Sequence, residues 1–230
     1  MSRIDEWFVP KFGPLKFRVF IGMLFLPYTA ICISFVIIGS MLAANIEWDR
    51  VYAITIIYFL GLGVSAHLLD AIGSKVKPWG DIFSRRSLVI IAIISLIMAY
   101  AIGIYYIITY NLYVLAIIAI LEGFFLLAYN LELFNARFHN NFWFAISWGS
   151  LPLLAGYFIQ TNQFSILAII ASIFSGLLSY GEITVSRKYK KIKRAKRYDD
   201  KIKQYEKILK LMSISSIMTM ILFIAFRVIV

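Results

Sequence analysis

The chain is poor in the residue types from which many soluble enzymes build their sites. It has one cysteine and two histidines among 230 residues, so an intramolecular disulfide is excluded and a histidine-based metal cluster is not expected. Acidic residues are scarce as well, with 12 Asp and Glu against 23 Lys and Arg. No glycine-rich phosphate loop, cysteine-pair motif, His-Glu-x-x-His motif or serine nucleophile elbow occurs in the sequence. The templates of soluble enzymes therefore do not describe this chain.

Long apolar segments are what the sequence has in abundance. Hydrophobic residues make up 61% of it, well above the roughly 45–50% of soluble domains. A transmembrane helix needs about 20 mostly apolar residues, and seven segments reach or approach that length. They are Phe17–Ala44, Val51–Leu69, Ser87–Thr109, Leu112–Asn130, Phe142–Gln160, Phe164–Tyr180 and Ile208–Val230. We therefore predict an all-α polytopic membrane helix bundle, with residues 1–230 forming a single transmembrane domain of about seven helices.

Two polar stretches of the chain stand apart from the apolar segments. Residues 1–16 mix aromatic side chains with cations, which favours an interfacial segment at the lipid headgroups; a disordered tail is the alternative. Residues 184–207 are strongly basic and predict a loop or surface helix before the last span. Such a stretch either serves orientation alone or forms a rim that attracts phosphate.

The distribution of positive charge predicts the orientation. With seven spans, 21 of the 23 Lys and Arg residues fall on one side of the membrane. This bias places the N-terminus and the basic loops in the cytoplasm and the C-terminus outside, in a protein of the cell membrane. The net charge of +11 therefore indicates contact with anionic lipid and not with nucleic acid.

Polar residues collect at the cytoplasmic ends of the second, fourth and sixth segments. The candidate site residues are His67, Asp70, Lys75, Lys77 and Asp81; then Tyr129, Glu132, Asn135 and Arg137; and finally Glu182. Carboxylates can hold Mg²⁺ together with substrate phosphate, while Lys and Arg take the other phosphate oxygens. The cluster would therefore suit a lipid with a phosphate head. Ordinary interfacial polarity with helix capping is the alternative.

Glu122 differs from these residues because it lies in the middle of an apolar segment. A carboxylate at this depth costs several kcal/mol unless it is paired, protonated or hydrated, and it is a candidate functional residue for that reason. The spacing of seven residues puts Glu122 and Tyr129 on one helix face, which predicts a shared cavity. A protonated Glu122 that bonds a neighbouring helix is the alternative.

These residues resemble the UbiA-type intramembrane prenyltransferases. In that superfamily the second helix ends in an N-D-x-x-D-x-x-x-D motif followed by Arg-Pro, and here Ala66–Ser74 followed by Lys77-Pro78 holds that place. The Tyr-led loop and the Gly- and Pro-bearing fifth helix are similar to Tyr129, Gly149 and Pro152. A second acidic motif matches Glu182 and Ser186. The resemblance covers about residues 17–190 in order and spacing.

The resemblance implies a fold, a reaction and a set of roles. Asp70 and Glu182 would bind Mg²⁺ and act with Tyr129 in catalysis, and Lys77 would contact phosphate. The chain departs from the family in that only the middle acid of the first motif remains, the basic residue after the Tyr is Leu133, and about seven helices stand where nine are typical. In the family the acids bind Mg²⁺ and the diphosphate and the basic loop residues bind phosphate, so the lost acids and the lost basic residue bear on both parts of the site.

Three functions follow as hypotheses. The first is transfer of an isoprenyl chain from a prenyl diphosphate to a membrane-soluble acceptor, such as a lipid or a quinone precursor, with Mg²⁺ as cofactor. The second is a non-catalytic protein that binds an isoprenoid lipid or acts as a scaffold. The third is a small transporter with Glu122 as the coupling group, although no inverted repeat is visible.

Overall fold

The computed structural model describes residues 3–73, 79–80, 82–195 and 200–229. These residues are mostly helical with no strand, and they include seven helices long and apolar enough to cross a membrane. We number these helices as spans 1 to 7: Leu15–Met41, Trp48–Gly73, Arg85–Tyr110, Tyr113–Asn130, Asn141–Gln160, Ile166–Arg194 and Asp200–Ile229. The predicted all-α membrane bundle of seven helices is therefore confirmed.

The spans are built from ten α-helices and two π-helical segments. The α-helices are α1 Leu15–Met23, α2 Leu26–Met41, α3 Trp48–Tyr58, α4 His67–Gly73, α5 Arg85–Tyr110, α6 Tyr113–Asn130, α7 Asn141–Ala145, α8 Leu151–Gln160, α9 Ile166–Arg194 and α10 Asp200–Ile229. The π-helical segments Phe59–Ala66 and Ile146–Ser150 join α3 to α4 and α7 to α8. Spans 2 and 5 thus each contain a π-helical segment between two α-helical parts.

Serine hydroxyls stabilise both π-helical segments. Ser95 of α5 donates to the carbonyl of Leu60 at 2.8 Å, and Ser175 of α9 donates to that of Gly149 at 3.0 Å. Ser179 donates to the carbonyl of the neighbouring residue, Trp148, at 3.3 Å. Inside a bilayer no water is available for backbone groups, so irregular helix geometry needs such partners.

Span 1 is broken at Phe25, which has a left-handed backbone (φ 45°). Pro27 follows in the first turn of α2, where its missing N–H and fixed φ are compatible with a helix start. The break buries the ring of Phe25 against Phe8 at 4.9 Å and against His67 at 4.8 Å between ring centroids. Span 1 therefore contributes a ring to the interior of the bundle that a continuous helix would not.

Helix α2 is the centre of the bundle and packs between α8 and α10. Its Ser40 donates to the carbonyl of Gly156 on α8 at 2.9 Å. On the other side, Ser213 of α10 donates to the carbonyl of Pro27 at 2.9 Å, and Arg227 donates to that of Ala43 at 2.7 Å. Spans 1, 5 and 7 are thereby joined along their length.

The basic stretch 184–207 belongs mostly to two long helices. Helix α9 continues to Arg194, far beyond the predicted end of the sixth segment at Tyr180, and α10 begins at Asp200, before the predicted start at Ile208. Cations along the end of α9 are therefore held at helical spacing, which fixes the directions of their side chains.

Candidate functional site

A polar cavity of about 550 Å³ lies at one end of the bundle. Six parts of the chain meet there: the N-terminal segment, the break in span 1, the end of span 2, the end of span 4 with the residues after it, the first half of span 5 and the last turns of α9. Of the residues predicted from sequence, those that line this cavity are His67, Asp70, Tyr129, Glu132 and Glu182. The structure thus brings together the ends of spans 2, 4 and 6.

Five cations and three acids line the polar cavity. The acids are Asp70, Glu132 and Glu182, and the cations are Arg3, Arg187, Lys190, Lys191 and Arg194. Glu182 is buried, with 3% of its surface exposed. The excess of positive charge in a confined space favours a polyanionic ligand.

Four of the five cations come from one face of α9. Arg187, Lys190, Lys191 and Arg194 stand at positions i, i+3, i+4 and i+7, and this spacing aligns side chains on a helix. Lys188, between them in sequence, is exposed and lies outside the lining of the cavity. The sequence contained this signal as a periodicity within the basic run, which was predicted as a loop or surface helix without naming the cations that face the site.

Lys190 is central in the charge distribution of the cavity. It interacts electrostatically with Arg3, Asp70, Glu6 and Glu182, so it lies among groups that come from two spans and the N-terminal segment. Its ammonium group also stands 5.8 Å from the centroid of the Phe25 ring, within the range of a cation–π contact.

Arg3 enters the cavity because the N-terminal segment folds onto α9. Glu6 is buried, and its Oε2 accepts hydrogen bonds from Tyr189 at 2.7 Å and from Lys193 at 2.8 Å. Val9 is also buried, in a cluster with Val19 and Met23. Residues 3–13, held by Glu6 and Val9, thus form an N-terminal cover from which Arg3 reaches the lining of the cavity.

One nitrogen of the Arg3 guanidinium makes no hydrogen bond to the described residues. Its Nη1 is buried and has no hydrogen-bond partner within the part of the chain that the structure describes. Burial lowers the pKa of Arg3, while Asp70 and Glu6 act in the opposite direction. Since free Arg titrates above pH 12, the group remains cationic at neutral pH. A buried cation with an unused donor is a ready contact for an anionic ligand.

Removal of the Glu6 carboxylate is expected to release this cover. In Glu6→Ala, the hydroxyl of Tyr189 and the ammonium of Lys193 lose their shared acceptor, at a cost of about 1–3 kcal/mol. We expect faster trypsin cleavage at Lys11 in the detergent-solubilised variant. The matched control is Asp5→Ala, because Asp5 is exposed. Equal cleavage rates in the two variants would show that Glu6 does not hold the cover.

Aromatic rings line the cavity beside the cations. His67 lies between Phe25 and Trp148, with centroid distances of 4.8 Å and 5.0 Å. Thr29 gives its hydroxyl proton to the carbonyl of Leu24 at 2.7 Å, so the 3.2 Å contact with His67 is best made by Nε2–H as donor. The Nδ1 atom of a neutral His67 is then the acceptor.

Tyr129 is held in place by two neighbours. Its hydroxyl accepts from Arg187 at 3.3 Å, and its ring stacks on His139 at 4.4 Å between centroids. The Nδ1 atom of His139 is 2.9 Å from the carbonyl of Tyr129. Tyr129 therefore links the end of span 4 to the cationic face of α9.

The chain after span 4 contains a run of left-handed residues. Glu132, Phe134, Asn135 and Ala136 all have φ between 52° and 60°, a conformation that is costly for side chains other than Gly. This segment leaves Glu132 at the rim of the polar cavity. Asn135 and Arg137 are exposed and are not among the residues that line it. Their predicted position in the site is not what the structure shows.

Two further groups of predicted residues lie elsewhere. Glu122 lines a separate apolar cavity between α3, α5 and α6, and it does not share the polar cavity with Tyr129. Lys75, Lys77 and Asp81 lie outside the described residues.

Carboxylates are the candidate metal donors in the lining of the polar cavity. Asp70 and Glu182 both line it, and Mg²⁺ is commonly held by one or two carboxylates together with substrate phosphate and water. No group of three or more His, Cys, Asp or Glu side chains is placed to hold a metal among residues 3–73, 79–80, 82–195 and 200–229.

Sequence reasoning missed the residues that most define the charge of the site. These are Arg3, brought in by the N-terminal cover, and the α9 cations Arg187, Lys190, Lys191 and Arg194. In the comparisons with known proteins, no family model, no curated protein and no solved structure matches the chain.

Proposed function

We propose that the polar cavity binds the head of an isoprenyl diphosphate and that the protein transfers the isoprenyl chain to a membrane-soluble acceptor. The observation that carries this proposal is the composition of the cavity, in which five cations and two buried or partly buried span-end acids, Asp70 and Glu182, surround a space of about 550 Å³. A ligand with a polyanionic head and an apolar chain matches such a cavity at the end of an apolar bundle.

The cationic face of α9 and Arg3 would bind the phosphate oxygens. Charge-assisted hydrogen bonds from Lys and Arg to phosphate are about twice as strong as neutral ones. Arg3 adds a donor that no described residue uses. These groups also stabilise negative charge as it develops on a departing diphosphate.

The aromatic wall would contact the reacting end of the chain. Phe25, Tyr28, Phe144 and Trp148 line the cavity beside the cations. In the transfer, the bond between the allylic carbon and the diphosphate oxygen breaks and the diphosphate leaves with the electron pair. A new bond forms between that carbon and the acceptor, whose proton passes to the released diphosphate. Aromatic faces stabilise the allylic cation by cation–π interaction.

Asp70 and Glu182 are the residues that would hold Mg²⁺. The ion, when bound, would supply charge neutralisation of the diphosphate. Support for this role comes from their position in the cavity and from the resemblance of their surroundings to the UbiA-type motifs. The positive-inside bias supports a cytoplasmic location for this end of the bundle.

The first experiment is a thermal unfolding assay of the detergent-purified protein with geranylgeranyl diphosphate, with and without Mg²⁺. A ligand that binds only the folded state raises the Tm. We expect the largest rise with both components, and loss of the Mg²⁺-dependent part in Asp70→Asn and in Glu182→Gln. The control is Glu47→Gln, since Glu47 is exposed and is not part of the cavity. Unchanged Mg²⁺ dependence in both site variants would refute the metal assignment.

A second candidate function is binding of the same lipid without transfer. The specific observation in its favour is the small number of metal-binding donors in the described part of the chain. Release of inorganic diphosphate from geranylgeranyl diphosphate, measured with a panel of phenolic and glycerophosphate acceptors, separates the two functions. Binding with no release in any acceptor would leave lipid binding or scaffolding as the function.

A further inference from the structure

A second cavity, apolar and of about 350 Å³, lies within the membrane-spanning part of the bundle. It is formed by α3 with the π-helical segment after it, by α5 and by α6. Glu122, near the middle of the 18-residue helix α6, lies in its wall. Ile104 and Ile120 line the cavity and are also exposed, so its mouth opens on the lipid-facing surface between α5 and α6.

Glycines on two facing helices keep the apolar cavity open. A Cβ atom built on Gly61 would meet nothing within 4 Å, and one built on Gly103 would meet only the Cδ1 atom of Ile57 at 3.8 Å. Both glycines line the cavity. A larger side chain at either position would occupy part of the apolar cavity, so the cavity has this volume because both positions are glycine.

The polar atoms in this cavity are few and nearly all have partners. Tyr58 donates to Oε1 of Glu122 at 3.0 Å, and Tyr100 donates to the carbonyl of Ala119 at 2.9 Å. The Oε2 atom of Glu122 is buried and has no hydrogen-bond partner among the residues that the structure describes. No Lys or Arg of the described chain lines the cavity.

An unpartnered carboxyl oxygen at this depth is costly. Burial of a polar atom without a hydrogen bond costs about 1–3 kcal/mol of stability, and burial of an ionised carboxylate in the bilayer interior costs more. Without a cation beside it, Glu122 is best accommodated as the neutral acid. With Oε1 accepting from Tyr58, the Oε2–H group is then an unused donor on a residue in the wall of this cavity.

We infer that this cavity binds a neutral lipophilic molecule through one carbonyl or hydroxyl oxygen, which accepts a hydrogen bond from Oε2 of Glu122. The apolar walls bury the body of the molecule, and the single polar contact orients it. This site is separate from the polar cavity, and its test does not depend on prenyl transfer. The ligand enters from the bilayer through the mouth beside Ile104 and Ile120.

The test uses the full chain in lipid nanodiscs and decylubiquinone, a neutral carbonyl lipophile, as the probe. Thermal unfolding is followed by circular dichroism over a range of probe concentrations. We expect a saturable rise in Tm for the wild type. In Glu122→Gln, where the amide N–H replaces the acid proton, the apparent affinity should stay within about threefold of wild type; in Glu122→Leu it should fall at least tenfold, about 1.4 kcal/mol.

A steric variant tests the same site independently of Glu122. Gly103→Phe should fill the cavity and remove the probe-induced rise in Tm, while Ala101→Phe, on the exposed face of α5, should keep it. A rise that persists in both Gly103→Phe and Glu122→Leu would mean that the probe only partitions into the lipid, and would overturn the proposal.

A lipophilic cation separates this site from the alternative of an ionised Glu122. Tetraphenylphosphonium should leave the Tm of the wild type unchanged, because the proposed site offers a neutral acid. Stabilisation by this cation that is lost in Glu122→Gln would assign the cavity to a cationic ligand and would likewise overturn the inference.

Discussion

Replacement of Lys190 by glutamine is expected to weaken the binding of geranylgeranyl diphosphate about 10- to 100-fold, since a hydrogen bond to a charged group contributes about 1.5–3 kcal/mol. Lys190 lines the polar cavity and interacts electrostatically with Asp70, Glu6 and Glu182. Its removal leaves the cavity acids Asp70 and Glu182 facing the diphosphate with one fewer cation. Isothermal titration in detergent micelles would measure the change.

The control for this prediction lies two residues away on the same helix. Lys188→Gln removes the same charge from an exposed position that does not line the cavity. Its affinity should stay close to that of the wild type, because exposed charges are screened by salt and water. Equal losses in the two variants would mean that the basic helix attracts diphosphate only as a diffuse positive field.

The second large effect is expected from Gly156→Ala, which should lower the free energy of unfolding by about 2–3 kcal/mol. A Cβ atom on Gly156 would collide with the carbonyl oxygen of Val36 on α2 and lie 2.8 Å from its carbon. Backbone atoms cannot move away by a rotamer change as a flexible side chain can, so α2 and α8 would have to separate. The hydrogen bond from Ser40 to Gly156 would be strained as well.

The unfolding free energy can be measured by titration of micellar protein with sodium dodecyl sulfate. Gly181→Ala is the matched control, because the nearest atom to its Cβ is the Cε atom of Met212 at 3.8 Å. This variant should be neutral or slightly more stable, since Ala favours a helix over Gly by up to about 1 kcal/mol. A stability of Gly156→Ala equal to that of the control would contradict the close contact of α2 and α8.

A double variant tests whether the two glycines of this contact act together. The Cβ atom of Gly39 would collide with the carbonyl oxygen of Leu153 on α8, in the same helix pair. Once one alanine has pushed the helices apart, the second should cost less. The loss of stability in Gly39→Ala with Gly156→Ala is therefore expected to be smaller than the two single losses combined.

The resemblance to UbiA-type enzymes remains an interpretation of the motifs. It rests on Asp70, Tyr129 and Glu182, which the structure places on one cavity. The comparisons add no relative, so the function depends on the chemistry of the cavity and on the binding experiments above.

The number of spans and the convergence of their polar ends could be anticipated from the sequence. Apolar length is a local property, and each long apolar segment must cross the bilayer as a helix because its backbone has no other partner there. An even number of crossings returns the chain to the same side. His67, Asp70, Tyr129 and Glu182 therefore had to lie at one end of the bundle once the spans were known.

Only the tertiary structure decided which of these polar residues share a cavity. Glu122 and Tyr129 have the spacing of one helix face, but seven residues of helix also separate them by about 10 Å along the axis. The wall around Glu122 comes from α3 and α5, and the wall around Tyr129 comes from α9 and His139. The two residues line different cavities, one apolar and one polar, because they lie at different depths and contact different helices. Helical periodicity reports neither the depth nor the neighbouring helices.

By itself, the sequence determined a seven-helix membrane protein with its polar residues gathered at the ends of spans 2, 4 and 6. The tertiary structure decided that Arg3 and the cations of α9 join them, because Glu6 ties the N-terminal segment to Tyr189 and Lys193. That contact spans nearly the whole chain and involves a segment with no hydrophobic period. A contact between such distant residues depends on how the N-terminal segment and α9 pack together, and local sequence patterns do not predict it.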